Sequence, residues 1–438
     1  MATALNVEAA GESMMGLIRE LYPICRSITG DGVRETLRIV SQRIPLEVHE
    51  VATGTPVFDW TVPKEWNVRD AWVKDARGEK VIDFRKSNLH LVGYSTPIHR
   101  KVSREELFAH LHTLPDRPRA IPYRNSFYSE NWGFCLEHDA LERLREPEYE
   151  VCIDSSLTDG HLTYGEVLIA GELPDEVFVW THLCHPSLCN DNLSGIALST
   201  ELARSLLGTK PRHTHRFVFA PATIGAITWL AVNEPVARRM VAGLVLAGVG
   251  DAGQPHYIRS RRGDALVDRA FLATLEGTRR PYGQLDFSPY GYDQRQFCSP
   301  GFDLPVGCLM RTPNGRYPEY HTSGDDLAFV GPAHLADSLA IVTSALAVVD
   351  GNRSYLNLNP KCEPQLGRRG LYEAIGGRGC ESDTELALLW VLNFSDGRHS
   401  LLDIAERSKI AFPSVQKAAH ALEACGLLRA SDERGPSS

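Results

Sequence analysis

The chain has 438 residues, 43% hydrophobic and 23% charged, with 36 Gly and 26 Pro. That is an ordinary globular composition, with room for two to four domains at ~100–200 residues each. It excludes a disordered chain, a collagen-like fibre and a long coiled coil. The longest apolar stretch, Ala242–Val249, falls far short of the ~18 residues of a membrane span, so no membrane contact is expected. The formal charge of −9, spread along the chain, argues against nucleic acid as the main ligand. Residues 1–12 hold no basic segment leading into an apolar run, and none of the ten cysteines shows CxxC spacing. Reduced thiols and a cytoplasmic location are therefore the expectation.

Met14, Leu17, Ile18 and Leu21 recur at helical spacing, and Pro23 interrupts after them. Thr29-Gly-Asp31 caps a second helix through Val33, Leu37 and Val40, with Pro45 as its stop. From Glu47 to Tyr128 short apolar runs alternate with Gly and Pro, which predicts a β-rich segment of about 80 residues. Its aromatics, Trp60, Trp66, Trp72, Phe84, Tyr123 and Tyr128, suffice to fill a small core or to line a pocket. After Glu148 strands and helices alternate. Strands are read at 151–154, 164–170, 177–180, 217–220, 243–249 and 304–309, and helices at 194–207, 224–233, 264–276 and 332–350. Near-continuous apolar strands in this order predict a mostly parallel sheet covered on both faces. A loop over 352–364 leads to helices at 386–393, 401–407 and 414–425, the outline of a winged helix, with a polar disordered end after Ser431.

Chemistry concentrates in Thr181-His-Leu-Cys-His-Pro-Ser-Leu-Cys-Asn-Asp-Asn-Leu-Ser-Gly195, directly after the strand ending at Trp180. Ligands bind past the carboxyl ends of such strands. Two histidines and an aspartate within ten residues are the ligand types of a catalytic zinc site. A second cluster, Pro318-Glu-Tyr-His-Thr-Ser-Gly-Asp-Asp-Leu327, precedes the last long helix of the sheet domain. It can add His321, with Asp325 and Asp326 orienting the loop and capping the helix. Arg259-Ser-Arg-Arg262 is a basic run that reads as a solvated face or as a receiver of acidic substrate.

The strand, His, Asn-Asp-Asn-x-Ser-Gly and helix, followed late by Tyr-His-Thr-Ser-x-Asp, resemble the zinc aminopeptidase and glutaminyl cyclase superfamily over residues 150–350. The layout resembles most closely the bacterial aminopeptidase-like proteins with an inserted β domain and a winged-helix tail. The resemblance implies an aminopeptidase-like zinc domain over 1–46 and 129–360, a β-rich lid over 47–128 and a winged helix over 361–438. It implies Asp191 as central ligand and His321 as late ligand. The first His ligand is His185, with His182 as alternate. Ala222 and Thr223 stand where the superfamily has its base and a ligand Glu, and Ala247 where it has an Asp ligand. One Zn²⁺ per chain follows, with Glu319 or Asp251 as replacement bases. Tyr292-Asp293-Gln-Arg295 resembles a substrate-facing loop, in which Asp293 would meet an α-amine and Arg295 a carboxylate.

The expected function is hydrolysis at an amide of a peptide or aminoacyl conjugate in a biosynthetic pathway. The competing reading is a catalytically disabled receptor for a peptide or amino acid. The tail's third helix offers only Lys417 and His420 as cations, so a peptide or a second copy of the chain is its expected partner rather than DNA.

Overall fold

The computed structural model describes residues 7–371 and 383–431. The disorder expected after Ser431 and Cys380 lie outside the described residues. Contacts divide the chain into one unit of Met1–Ala265 with Pro281–Ala340, and another of Leu266–Arg280 with Ile341–Ser438.

In the larger unit, α1 (Val7–Leu21) and α2 (Asp31–Ser41) bury the faces their spacing predicts, with Met14, Leu17, Ile18, Leu21, Val33, Leu37 and Val40 all inaccessible. Then follow β1 (Glu47–Ala52), the hairpin β2 (Pro56–Val57) and β3 (Trp60–Thr61), β4 (Glu65–Lys74), β5 (Lys80–Asp83), β6 (Ile98–Ser103), α3 (Arg104–Ala109) and the short pair β7 (Leu111–His112) and β8 (Phe134–Cys135). The strands β9 (Glu148–Thr158), β10 (His161–Ile169) and β11 (Leu173–His182) lead into α4 (Ser194–Leu206), β12 (His213–Ala220), α5 (Ile224–Val232), α6 (Glu234–Ala237), β13 (Met240–Leu246) and β14 (His256–Ile258). Next in chain order are α7 (Leu266–Gly277), which belongs to the smaller unit, then β15 (Gly283–Leu285), α8 (Gln294–Phe297), β16 (Val306–Met310) and α9 (Pro332–Gly351), whose residues from 341 onward are also counted with the smaller unit.

The large sheet has the order β1-β10-β12-β11-β13-β16-β14-β15, and its centre, β12-β11-β13-β16, is parallel. Every residue of β12 is buried, as expected of a strand covered on both faces. The chain leaves β11 to build β12 on one side, then crosses to build β13 on the other. That reversal opens a crevice at the carboxyl end of β11. α9 is apolar enough to span a membrane by length and composition, but more than half of its most apolar window is buried inside the protein, with Leu335, Leu339, Val342 and Val349 inaccessible.

A four-stranded antiparallel sheet, β5-β4-β9-β6, carries the β-rich segment. Two strands stand differently from the reading of the sequence. β1, grouped there with the insert, pairs with β10 at the edge of the large sheet, and β9, grouped with the parent domain, lies inside the small one. Edge strands bury little, so the composition of β1 does not announce its sheet.

Glu65 ties α2 to these strands. Its carboxylate accepts a bidentate pair from Arg34 (2.8 and 2.6 Å) and the amide N–H of His161 (2.9 Å). The paired guanidinium holds it down at about 2. The ionised form stabilises the fold above the ordinary glutamate pKa, and the contribution disappears as pH falls through ~4.3 towards 2. We predict that Glu65→Gln costs about 1–2 kcal/mol at pH 7, allowing for solvent around Arg34, and that the difference from the wild type narrows at pH 3 in urea titrations.

In the smaller unit, β17 (Ser354–Asn357) is the central strand of a three-stranded sheet. It falls within the segment read as a loop, because four residues carry too little alternation to register. Around it lie α10 (Asp383–Phe394), β18 (Asp396–Ser400), α11 (Leu401–Ser408), α12 (Phe412–Ala424) and β19 (Leu428–Ala430). Ser400 and Asp403 close a capping box on α11. On α12 the outward residues include Lys417, His420 and Glu423.

Candidate metal centre

The apolar run of β11 ends in Thr181 and His182 at the crevice. The Asn-Asp-Asn motif beyond it has a division of labour. Asn190 accepts from Gly250 N–H (2.9 Å) and donates to Asp251 (2.9 Å). Asn192 donates to Thr181 Oγ1 (2.9 Å) and Leu246 O (3.1 Å) and accepts from the N–H groups of Gly195 and Gly248 (both 3.2 Å). The two amides thus bind the loop to the end of β13. A Cβ on Gly195 would lie 2.5 Å from Asn192 Oδ1 and from Leu246 O, so the close approach requires glycine there.

Asp191, between them, is fully buried and faces the histidines. Hydrogen bonds join its Oδ1 to His182 Nε2 and its Oδ2 to His321 Nε2, each at 2.9 Å. The His185 ring lies 5.1 Å from that of His182 and 5.2 Å from that of His321. Ligand atoms of His182, His185 and Asp191 fall within 4.8 Å of one another. Loss of solvent pushes the His185 imidazole down to about 3, while His185, His182 and His321 hold Asp191 well below the carboxylate range against its burial. A buried carboxylate facing imidazoles, with His185 neutral, is a donor set that fits zinc.

Asp325 sets the loop. It accepts from the N–H groups of Asn190 (2.6 Å) and Asp191 (2.9 Å), and burial raises its pKa to about 7. Asp325→Asn leaves one of these buried donors without its acceptor. The expected cost is about 1–3 kcal/mol in chemical denaturation, with weaker metal retention on dialysis.

Aromatic rings wall the site. Tyr320 stacks on His321 at 4.0 Å, Tyr292 stacks on His182 at 5.3 Å, and Tyr123 lies 4.9 Å from His185. Behind it Arg26, buried, donates from Nε to His185 O (3.0 Å). Tyr320 and Tyr292 stand beside motif residues in sequence and could have been singled out. Arg26 lies 159 residues from His185 and carries no local signal.

The other candidates separate. Ala222 and Thr223 follow β12, whose Ala220 pairs with His182, so both adjoin the crevice. Ala222 donates its N–H to Cys184 Sγ (3.3 Å), and Thr223 holds a left-handed φ of 59°. Ala247 is wholly buried. Asp293 is 2% exposed, and its oxygens accept from Trp180 Nε1 (2.8 Å) and Thr223 N–H (2.7 Å). It braces the floor under His182 rather than facing an amine. Arg295 lies beside Asp293 with its buried Nε unpartnered. Asp251 accepts from Asn190, Gly253 and twice from Thr312, which commits it to scaffolding. The Glu319 side chain is half-buried and takes no hydrogen bond among the described residues. In the basic run, Arg261 and Arg262 pair with Asp303 (2.8 and 3.2 Å).

Comparison with known proteins agrees with this architecture. Residues 15–352 match a family described as a domain of unknown function (DUF4910), and residues 353–430 match a winged helix-turn-helix family. A Clostridium acetobutylicum protein is 51% identical over 97% of this chain and 98% of its own length. It is described as a candidate polysaccharide biosynthesis protein with an aminopeptidase-like domain. A crystal structure of a candidate peptidase from Clostridium acetobutylicum superposes with a TM-score of 0.93 at 49% identity, covering 97% of this chain and 98% of that one. A zinc aminopeptidase from Bacillus subtilis superposes with a TM-score of 0.59 at 13% identity, covering 78% of this chain and 95% of that one, which identifies the fold.

Proposed function

We propose, from the premise that the chain belongs to the DUF4910 family and carries a zinc-aminopeptidase fold, that it is a zinc-dependent hydrolase of an amide in an aminoacyl conjugate. The observation that carries the reading is Asp191, buried at the end of β11 with one imidazole on each oxygen and a third beside them. Asp191 and His321 with His185, or with His182 in its place, would hold one zinc and leave a position for water. Bound there, zinc supplies electrophilic polarisation of a carbonyl and a hydrolytic nucleophile at neutral pH. Glu319, two residues before His321 and with a carboxylate that takes no hydrogen bond among the described residues, is the side chain available to take a proton from attacking water. Tyr123, Tyr292 and Tyr320 pack against the imidazoles, with His182 buried and the His321 side chain 35% exposed toward the crevice mouth. Arg295, whose buried Nε takes no partner among the described residues, offers its guanidinium to a substrate carboxylate.

The description of the Clostridium relative supports a saccharide setting, in which the conjugate joins an aminoacyl group to an amino sugar. The winged helix, with one permanent cation on the outer face of α12, suits a peptide or protein contact better than a phosphate backbone. The test is hydrolysis of aminoacyl p-nitroanilides, dipeptides and N-aminoacyl hexosamines by zinc-loaded protein. Turnover removed by a chelator and restored by zinc supports the reading. Ala222 at the crevice favours a second reading, a receptor without turnover, which the same panel identifies as zinc-dependent binding with no product.

A further inference from the structure

The rings of the β-rich segment divide into two sets. Trp66 and Tyr123 are buried, whereas Phe58, Trp60 and Tyr128 are 57%, 40% and 55% exposed. An unbroken series of ring contacts runs from Trp66 through Tyr94 (5.7 Å), Phe127 (5.4 Å) and Tyr128 (6.3 Å) to Trp60 (5.1 Å from Tyr128). Its inner end is rooted in the core and its outer end is a pair of rings open to solvent. Exposed rings held in this way mark a contact surface rather than leftover core.

Their position relates them to the metal centre. The hairpin β2–β3 packs against α5, which begins directly after Thr223. Tyr128 comes five residues after Tyr123, whose ring lies 4.9 Å from that of His185. The backbone adds an independent observation. Phe58 occupies the two-residue turn between Val57 and Trp60 with a φ of 57°. Such a turn favours Gly or Asn, and a bulky aromatic there is a genuine outlier. A strained residue at a loop tip points to a function for the tip. Asp59, in the same turn, and Glu130, two residues after Tyr128, are exposed carboxylates that take no hydrogen bond among the described residues.

We propose that Trp60 and Tyr128, with Asp59 and Glu130 as acceptors, form a saccharide subsite at the mouth of the candidate metal centre. A pyranose ring presents an apolar C–H face to a flat aromatic ring and hydroxyl donors around its rim. Open rings flanked by carboxylate acceptors match both. This deepens the reading of the protein as a hydrolase of an aminoacyl conjugate, by assigning the sugar half of the conjugate to named residues.

Saturation-transfer NMR and calorimetry on the full chain test it, with a panel of hexoses, hexosamines, N-acetylhexosamines and their disaccharides beside glycyl and alanyl dipeptides. At least one sugar is expected to bind, with saturation strongest on its ring C–H protons. Trp60→Ala and Tyr128→Ala should each weaken that binding by about tenfold or more, and Trp60→Phe should largely preserve it. No binding by any sugar, binding unchanged in both alanine variants, dipeptide binding alone, or a Trp60-dependent dimer without sugar binding would overturn the proposal. Zinc content and amide hydrolysis measured on the same samples keep the two claims apart. Hydrolysis that is indifferent to Trp60 and Tyr128, with no sugar binding, removes the subsite and spares the hydrolase. Sugar binding through Trp60 in a chain without zinc or turnover does the reverse.

Discussion

Asp191→Asn is expected to lower zinc affinity by about a thousandfold or more while leaving the chain folded. The carboxylate is the one anionic member of the set and the group on which His182 and His321 converge. Whole structural zinc sites are worth ~10–16 kcal/mol, so removal of the charged ligand should cost several of these. The amide keeps the volume and one acceptor, and the loop stays fastened by Asn190, Asn192 and Asp325, none of which the substitution touches. Competition with a chromophoric chelator measures the affinity, and circular dichroism checks the fold. Unchanged zinc affinity would remove Asp191 from the centre of the site. His321→Ala should act in the same direction, since it takes away the imidazole on Asp191 Oδ2.

The second large effect concerns Ala222. It lies two residues past Ala220, the pairing partner of His182, and is half-buried beside the crevice. Ala222→Glu should therefore set a carboxylate beside the imidazoles. General-base assistance is typically worth about 10²–10⁴-fold, so hydrolysis of an aminoacyl amide should rise by that order with zinc content unchanged. The opposing cost is a carboxylate near Cys184, whose Sγ takes the Ala222 N–H and which is itself buried. A folded, zinc-loaded Ala222→Glu protein with no gain on any amide would move the assignment to the receptor reading. Glu319→Gln supplies the complement. If the native chain hydrolyses an amide through that carboxylate, the rate should fall by a similar factor and the affinity for substrate should change little.

Much of this architecture is written locally. The spacing of Met14, Leu17, Ile18 and Leu21 specifies α1, and the run from Val177 to Trp180 specifies the strand that delivers His182. Both are periodicities within one element, which a sequence displays directly. The grouping of His182, His185, Asp191 and His321 was also legible, because one short cluster follows a recognisable strand and the other precedes a recognisable helix. What escaped depends on distant pairing. The sheet to which β1 belongs is decided by its partner β10, more than a hundred residues on. Asp251 and Asp293 looked like reactive acids because each follows a strand or stands in a familiar motif. Their roles are set instead by which N–H groups surround them, from Thr312 and Gly253 in one case and Thr223 and Trp180 in the other. Spacing along a chain carries no record of those donors. The same holds for Trp60 and Tyr128, whose aromatic character was visible while their exposure was not.

The central claim is a single zinc held by Asp191 and its surrounding imidazoles. Crystals of the zinc-loaded chain, with diffraction recorded above and below the zinc absorption edge, test it most directly. The account predicts one anomalous peak per chain, within ~2.0–2.2 Å of an Asp191 oxygen and of at least two imidazole nitrogens among His182, His185 and His321. Two peaks bridged by Asp191, or none near it in zinc-replete protein, would contradict it.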